Sequence, residues 1–380
     1  MVNMTEKGLG ALAHALRHIT HKATEDHAAN PRSNLHLPAR HESARAWLAK
    51  FIPESDLHDL EVRHHMGNYV IDRETGEKTF EEMSIYVRLG MHLLYYGSTQ
   101  EKVLHWKETL DIVERESRKL GEEYDSPQSR AHIEPFIDSF HLRSSLSELK
   151  EPDPSKYPCF NAFFAREIRD DARPIAEPDN DLVTSSPADC RLTAYPTIDL
   201  ATRYWIKGYG FTVAKMLGVD EDDALARQFD GGSIVIARLA PQDYHRWHAP
   251  VSGTVESIKE IPGAYYTVNP QAINEPGIMN VFCENRRSVM ILRRSTTGAA
   301  IAVIAVGAML VGSIKYNPGV GPGVEVRRGQ CLGAFYYGGS TVIVLYPKGE
   351  VTLDEDLVRN STEQACETRM KVGWRVGVKM

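Results

Sequence analysis

Apolar residues follow two different spacings along the chain, and the change between them falls near residue 175. Before that point they recur every three or four residues, as in AHIEPFIDSFHL and FNAFFAREI. That spacing places them on one face of an α-helix, which must pack against a partner surface. The two stripes comprise Ile133, Phe136, Ile137 and Phe140, and Phe160, Phe163, Phe164 and Ile168.

After residue 175 the pattern changes to Pro-rich turns that separate short apolar runs, beginning at DDARPIAEPDNDLVTSSPADCRL. Such runs, bounded by turn residues, are typical of strands. We therefore predict an α+β fold in three parts. A polar tail covers residues 1–42, a helical region covers 43–175, and a β-rich domain covers 176–380.

One apolar stretch, GAAIAVIAVGAMLVGSI at residues 298–314, approaches the length of a membrane-spanning helix. It is rich in β-branched residues and is interrupted by Gly307 and Gly312. Two buried strands joined at a bend fit this composition better than a membrane helix does.

Two segments of the β-rich region have the same local form, with small residues at a tight turn between short strands. They are HAPVSGTVESI at 248–258 and GVEVRRGQCLG at 323–333. Together they resemble the paired hammerheads of biotinyl and lipoyl carrier modules, which predicts a barrel-sandwich core. Those modules carry a lysine at a hairpin tip, and no such tip lies between these segments. The likeness therefore concerns fold and not function.

Bulk composition excludes some classes of function. The 380 residues carry a formal net charge of −7, which argues against a general nucleic-acid binder, because such proteins need clustered positive charge. The five cysteines include no CxxC pair, as expected for reduced thiols inside a cell. The first residues make a poor signal peptide, so we expect a cytoplasmic location.

His14, His18 and His21 fall on one face of a predicted helix in the tail. A metal ion could use that spacing. No cysteine lies nearby and no closing ligand is evident, so we predict a solvated face and no metal site.

The residues with catalytic potential lie in the β-rich region. DYHRWHAP carries His245 and His248, SSPADC carries Asp189, and FYYGGSTVIVLYP carries Ser340 after two glycines. A serine becomes a nucleophile when a base removes its proton and a third group orients that base. The glycines leave the peptide before Ser340 unshielded, so the electrophile is predicted to be the carbonyl of Gly339 itself.

Seven collinear segments between about residues 120 and 350 resemble the phosphatidylserine decarboxylase family, in particular its eukaryotic extra-mitochondrial branch. They are SSPADCR, YWIKGYGFTVAKMLG, DYHRWHAPVSGTV, PGAYYTVNPQAI, VFCENRR, VGAMLVGSI and LGAFYYGGSTVIVLYP. The resemblance implies self-cleavage between Gly339 and Ser340 into a β chain of residues 1–339 and an α chain of residues 340–380. Ser340 would become a covalent pyruvoyl cofactor, which serves as the electron sink in decarboxylation.

The resemblance also implies roles for the other site residues. Asp189 and His248 would act with Ser340 in self-cleavage, and His245 would handle protons in decarboxylation. The implied reaction converts phosphatidylserine to phosphatidylethanolamine and carbon dioxide. One alternative is decarboxylation of a free aromatic amino acid such as tryptophan, by a related group that shares these motifs. A second alternative is a non-catalytic β-sandwich binding module, which has no need of all four residues.

Contact with a lipid substrate implies peripheral association with intracellular membranes. The calcium-binding module and the membrane anchor of longer relatives are not evident in the sequence. Tyr265, Tyr266, Arg286 and Arg287 are candidates for touching a bilayer surface, although core aromatics and solvated arginines fit equally well. The resemblance is also compatible with a homodimer.

Overall fold

A ten-stranded sheet organises the chain, and its strand order differs from the order in sequence. The computed structural model describes residues 68–81, 121–204, 211–263, 281–307, 314–336 and 340–380. From one edge to the other, the strands are β11 (Glu325–Val326), β7 (Gly253–Ile261), β8 (Arg287–Arg294), β9 (Ala300–Gly307), β13 (Ser340–Tyr346), β5 (Ser233–Leu239), β4 (Cys190–Tyr195), β15 (Glu367–Met370), β1 (Asn68–Asp72) and β2 (Lys78–Glu81). Neighbours are antiparallel except β1 and β15, which are parallel.

Two three-stranded sheets accompany the large one. The first has the order β10 (Ile314–Tyr316), β12 (Cys331–Phe335) and β6 (Arg246–His248). The second has the order β14 (Thr352–Leu353), β16 (Arg375–Val378) and β3 (Val183–Ser185).

Both faces of the large sheet are buried, which explains why its central strands are apolar without alternation. On β13, Val342 and Val344 point into a core shared with the small sheets, while Ile343 and Leu345 point into a second core. That second core packs against short helices. They are α3 (Ile198–Tyr204), α4 (Val213–Leu217), α5 (Ala224–Arg227) and α6 (Val281–Glu284). A further helix, α7 (Glu355–Thr362), contacts β4 and β15.

The predicted helical stripes form a third core. Helices α1 (Ile133–Ser139) and α2 (Phe160–Phe164) bury most of the apolar residues of both stripes, Phe140 is partly covered just after α1, and Ile168 is buried beyond the end of α2, where it forms a β-bridge with Leu149. Three 3₁₀ helices flank them, at Pro127–His132, Leu142–Glu148 and Pro154–Lys156. Burying each such large side chain contributes about 1.5–3 kcal/mol relative to exposure. The aromatic stripes are thus core residues, as predicted.

The two hammerhead-like segments pair with each other strand by strand. Strand β6 pairs with β12, and β7 pairs with β11. A Cβ atom at Gly333 would lie 2.5 Å from the ring of Trp247, so a glycine is required where these strands cross. The predicted β-rich arrangement is confirmed at this point.

Two other predictions are tested in this region. The apolar stretch at 298–314 contributes strands β9 and β10, so the strand interpretation is confirmed for the residues described. Across the described segments, no helix has both the length and the apolar character needed to cross a bilayer.

The hairpin of β1 and β2 differs from the sequence prediction. Residues 68–81 lie within the region predicted to be helical, yet they form two strands at the edge of the large sheet. The turn between them contains Gly76 at a φ of 71°, a left-handed conformation that glycine adopts without strain. The helical prediction therefore does not hold for this segment. The histidines at positions 14, 18 and 21 lie outside the described residues.

Candidate active site

Ser340 lies at the first position of the central strand β13. Its Cα pairs with Leu239 of β5 on one side and with Gly307 of β9 on the other. The side chain is 1% exposed, and its Oγ has no hydrogen-bond partner in the described part of the chain. Gly339, predicted to supply the cleaved carbonyl, lies outside the described residues. Ser340 is thus a buried hydroxyl held on both sides by sheet pairing.

The sheet topology brings all four predicted site residues to one end of these strands. Strand β4 begins immediately after Asp189, and its partner β5 ends at Leu239, opposite Ser340. The chain then turns and carries His245 and His248 into β6. These residues come from distant parts of the sequence, so their proximity is a property of the fold.

Main-chain hydrogen bonds join the two histidines to the loops around them. The amide of Phe335 donates to the carbonyl of His245 over 2.9 Å. The end of β12, which precedes Ser340 in the sequence, therefore lies beside this histidine. The amide of His248 donates to the carbonyl of Pro187 over 2.7 Å, next to the loop that carries Asp189.

His245 is a fully buried imidazole with one free nitrogen. Its Nδ1 lies 2.8 Å from the carbonyl oxygen of Asp243. Because a carbonyl only accepts, Nδ1 carries the proton and Nε2 is a bare acceptor. Nε2 is buried and has no hydrogen-bond partner among the described residues.

The surroundings of His245 keep it neutral. Burial lowers the pKa of His245 to about 3, and the positive charges of Arg166 and Arg191 act in the same direction. The ring of Phe164 packs against it with the centroids 3.9 Å apart. The arrangement presents a neutral nitrogen lone pair inside a closed site, where it can accept a hydrogen bond.

His248 has the same tautomer but a different environment. Nδ1 donates to the carbonyl of Gly329 over 2.7 Å, so Nε2 accepts from the hydroxyl of Tyr244 over 3.1 Å. The thiol of Cys331 also lies against this ring. Although burial alone would raise the pKa of Cys331, its side-chain hydrogen bond with His248 and the charge of Arg246 lower it to about 7.

Asp189 is held by other partners than the predicted histidine. Its carboxylate accepts from Nη2 of Arg173 over 2.7 Å and from the amide of Val372 over 2.8 Å. Arg173 also contacts Glu148. In the described segments, no hydrogen bond joins any two of the four predicted side chains. The structure therefore brings the four residues to one end of the sheet without forming a direct Asp189–His248 bond.

Several residues of the site were not predicted from the sequence. Asp243 and Tyr244 lie inside the DYHRWH motif, and their polar groups beside two histidines were a usable signal. Arg173, Arg191 and Cys331 carried no such signal, because only the sheet topology brings them to the site.

The membrane-contact prediction is wrong for one residue. Arg287 is 4% exposed, and its guanidinium donates to main-chain carbonyls, among them that of Met216 over 2.9 Å. A side chain satisfied in this way cannot reach a bilayer. Arg286 is partly exposed, and Tyr265 and Tyr266 lie outside the described residues.

No group of three or more His, Cys, Asp or Glu side chains is arranged to hold a metal ion within the segments that the structure covers. The potential metal ligands near the site instead have protein partners. Asp189 binds Arg173, and His248 binds Gly329 and Tyr244.

Comparison with known proteins agrees with the motifs. The family model described as phosphatidylserine decarboxylase matches residues 160–378. Phosphatidylserine decarboxylase proenzyme 3 of Schizosaccharomyces pombe is 41% identical over 340 residues, which are 89% of this chain and 34% of that protein. Proenzyme 2 of Oryza sativa subsp. japonica is 38% identical over 89% of this chain and 53% of its own length.

A bacterial relative matches over nearly its whole length. The phosphatidylserine decarboxylase proenzyme of Fusobacterium nucleatum is 35% identical over 309 residues, which are 81% of this chain and 96% of that protein. The chain thus spans 34% and 53% of the two eukaryotic relatives but almost all of the bacterial one. This chain belongs to the phosphatidylserine decarboxylase family.

Proposed function

We propose that this chain is the precursor of a pyruvoyl-dependent decarboxylase that converts phosphatidylserine to phosphatidylethanolamine and carbon dioxide. One observation carries the proposal beyond family membership. The Oγ of Ser340 and the Nε2 of His245 are both buried without a hydrogen-bond partner in the described residues. Leaving a buried polar atom unpaired costs about 1–3 kcal/mol, and these two atoms are a hydroxyl and an imidazole nitrogen, the types of group that the proposed cleavage and decarboxylation need.

Self-cleavage would begin when the Oγ of Ser340 loses its proton and attacks the carbonyl carbon of Gly339. The peptide C–N bond breaks, its nitrogen takes up a proton, and an ester joins the two residues. Loss of the Cα proton of Ser340 then expels the carboxylate of Gly339 and leaves dehydroalanine. Water replaces the nitrogen, which departs as ammonia, and a pyruvoyl group remains. No oxidant or reductant is required.

We assign the activation of Ser340 to His248 and Asp189. The Nε2 of His248 is the acceptor in this ring, because Nδ1 donates to the carbonyl of Gly329. Asp189 would act through the loop it belongs to. Its carboxylate is fixed by Arg173 and Val372, and the same loop binds the amide of His248 through Pro187. Asp189 would therefore hold the position of His248 without a direct bond.

In decarboxylation, the pyruvoyl group would supply a carbonyl that binds the substrate amine and takes up the electrons released with carbon dioxide. The unpaired Nε2 of His245 fits a role beside that group. The substrate arrives as an ammonium and must lose a proton before it reacts. Nε2 would accept that proton and later return it to the carbon that has lost its carboxylate. The first step needs a neutral ring, and the carboxylate of the bound substrate would raise the lowered pKa of His245 and so strengthen it as a base.

The maturation step can be tested on purified protein. Wild type should separate under denaturing conditions into fragments of 1–339 and 340–380, with the small fragment blocked at its amino terminus by the pyruvoyl group. Ser340→Ala should remain one chain. Ser233→Ala is a matched control, because Ser233 is a buried serine at the opposite end of the β5–β13 pair. An intact wild-type chain that nevertheless releases carbon dioxide would exclude this mechanism.

The substrate is tested on matured enzyme. Carbon dioxide release should be measured from phosphatidylserine vesicles and, in parallel, from tryptophan, tyrosine and phenylalanine. We expect turnover of the lipid, with phosphatidylethanolamine as the product. Turnover of the free amino acids alone would assign the chain to the second activity that the motifs allow.

A further inference from the structure

We propose that the buried ion pair of Arg191 and Asp243 is a positioning device for His245. It fixes the turn in which the carbonyl of Asp243 accepts a hydrogen bond from the protonated Nδ1 of His245. Nε2 therefore stays the unprotonated nitrogen that faces the reaction. The catalytic part of this inference rests on the proposed function, whereas the structural part concerns the tautomer of one ring and can be tested separately.

The contacts run in sequence from β4 to the imidazole. Nη1 of Arg191 lies 2.5 and 2.6 Å from the two carboxylate oxygens of Asp243. The same carboxylate accepts from the amide of Ala240 over 2.8 Å, and the amide of Asp243 donates back to the carbonyl of Ala240 over 2.8 Å. The turn is therefore closed by side chain and main chain together. These bonds fix the orientation of the Asp243 carbonyl, which accepts a hydrogen bond from Nδ1 of His245.

A second carboxylate, that of Glu81, also binds Arg191. Its Nε donates to Glu81 at the end of β2 over 2.9 Å, and its side chain is 4% exposed. Although burial disfavours the charge, the carboxylates of Asp243 and Glu81 raise the pKa of Arg191 well above its ordinary value. The guanidinium is thus charged and fixed in direction, and it cannot swing away from the turn.

Stability alone is a weak reason for such a pair. Removing two charges from water costs several kcal/mol per ion, and well-packed apolar residues often replace a buried ion pair without loss. The chain contains a second pair that provides a comparison. Arg238 lies opposite Arg191 in the sheet and binds Glu367, with its Nε 2.8 Å from that carboxylate, and its contact with Glu81, the second partner of Arg191, is a longer one of 3.7 Å.

Loss of the fixed carbonyl would change what His245 presents to the site. With that hydrogen bond lost, the proton can leave Nδ1 and another can bind Nε2, which gives the other neutral tautomer while the ring stays packed against Phe164. A protonated nitrogen would then face the reaction, as a donor in place of an acceptor. The Asp243 carbonyl opposes this exchange, because it accepts a hydrogen bond only from a protonated Nδ1.

The tautomer can be measured without any enzyme activity. Ser340→Ala protein labelled with ¹⁵N in histidine should show the ring nitrogens of His245 in the Nδ1–H form, assigned by the loss of those signals in His245→Gln. Adding Asp243→Asn should produce a mixture of tautomers. Adding Glu367→Gln, the matched control, should leave the His245 signals unchanged. An unchanged Nδ1–H signal in the folded Asp243→Asn protein would overturn the proposal.

Activity gives the second test. Matured Asp243→Asn should lose about 10- to 100-fold in kcat for decarboxylation, with KM changed by less than about 2-fold, because a misaligned base affects the reaction more than it affects binding. Arg191→Lys keeps the charge but loses the two-pronged contact, so it should fall between Asp243→Asn and wild type. It also replaces Asp243→Asn if that variant does not fold.

The controls separate positioning from general stability. Glu367→Gln should reduce the melting temperature to a similar extent while its kcat stays near the wild-type value. An equal fall of kcat in Glu367→Gln would overturn the proposal, as would a folded Asp243→Asn chain that fails to cut itself, because the pair would then serve maturation. If wild type decarboxylates nothing, the proposed function fails and the labelling experiment still decides the role of the pair.

Discussion

At the scale of single residues, the two histidines share a tautomer and differ in what their second nitrogen meets. Nε2 of His245 has no hydrogen-bond partner in the described residues, whereas Nε2 of His248 accepts from Tyr244. The sequence made both histidines candidates, because they lie beside Arg246 and Trp247 in a β-rich region. Their tautomers were not, because those depend on carbonyls that only the folded loops bring into reach.

The different environments predict that the histidines can be separated by substitution. His248→Gln should accumulate uncut precursor, because Ser340 loses the base assigned to it. His245→Gln should cut itself but decarboxylate at least about 100-fold more slowly, because general acid–base catalysis contributes about 10²–10⁴-fold. Gel electrophoresis measures the first effect and carbon dioxide release the second. Normal self-cleavage in His248→Gln would reverse the two assignments.

The thiol of Cys331 offers a probe of His248. With a pKa of about 7, it should be about half ionised at neutral pH and should react with iodoacetamide faster than the buried thiols of Cys190 and Cys283, whose pKa values are raised. The reaction should accelerate between pH 6 and 8, and Cys331→Ser should abolish it. His248→Gln should slow it roughly 10-fold at pH 7, because the thiol pKa rises when the hydrogen bond is lost. Equal rates for all three thiols, measured by mass spectrometry, would contradict this.

At the scale of elements, the amphipathic helices were the best predicted, because core packing is the default explanation for large aromatic residues at helical spacing. The hairpin of β1 and β2 was missed for the converse reason. The hairpin lies at an edge of the sheet, where Tyr69 is 50% exposed and, among its described side chains, only Val70 and Ile71 are buried, and ion pairs add to the pairing of β1 with β15. Arg73 binds Asp354 over 2.8 Å, and Asp354 lies near the other end of the sequence. The local pattern of apolar residues does not reveal such long-range contacts.

This ionic attachment predicts a specific loss of stability in acid. The pKa of Asp354 is lowered: burial would raise it, but the hydrogen bonds and charges of Arg375 and Arg73 outweigh that effect. A lowered carboxyl pKa contributes stability that is present above its ordinary value of 3.8 and is lost as the pH falls through the lowered value. Melting temperatures measured between pH 6 and pH 2.5 should therefore fall less steeply in Asp354→Asn than in wild type. Parallel curves would show that the hairpin attachment does not depend on this charge.

At the scale of the whole molecule, the α+β class and the paired hammerheads were predictable from turn residues and apolar runs. The strand order of the large sheet was not. Strand β13 follows β12 in sequence but pairs with β5 and β9, and β15 pairs in parallel with β1 from the other end of the chain. Periodicity reports which face of a strand is buried and not which neighbour buries it. For the same reason the sequence indicated the site residues without their arrangement.

The position of β13 predicts the behaviour of the cut chain. Residues 340–380 supply β13, β15 and α7, and β13 is paired on both sides by strands of the larger fragment. The two fragments should therefore elute together in gel filtration at neutral pH and separate only in denaturant. The Arg238–Glu367 pair also crosses between them, and Glu367→Gln is expected to lower the denaturant concentration needed without releasing the small fragment in buffer. Spontaneous loss of the small fragment would contradict this topology.

If the proposed self-cleavage occurs, the central place of β13 makes it a check on folding. During synthesis, the strand that begins at Ser340 can be flanked only after β5 and β9 have been made and have found their places, and β15 must still close onto β4. A chain that misfolds anywhere along this sheet leaves its serine unheld and its peptide bond uncut. Self-cleavage would then mark, irreversibly, a chain that has completed its folding. A substitution far from the active site that disturbs this sheet would therefore be detected first as uncut, full-length protein, before a loss of stability was measured.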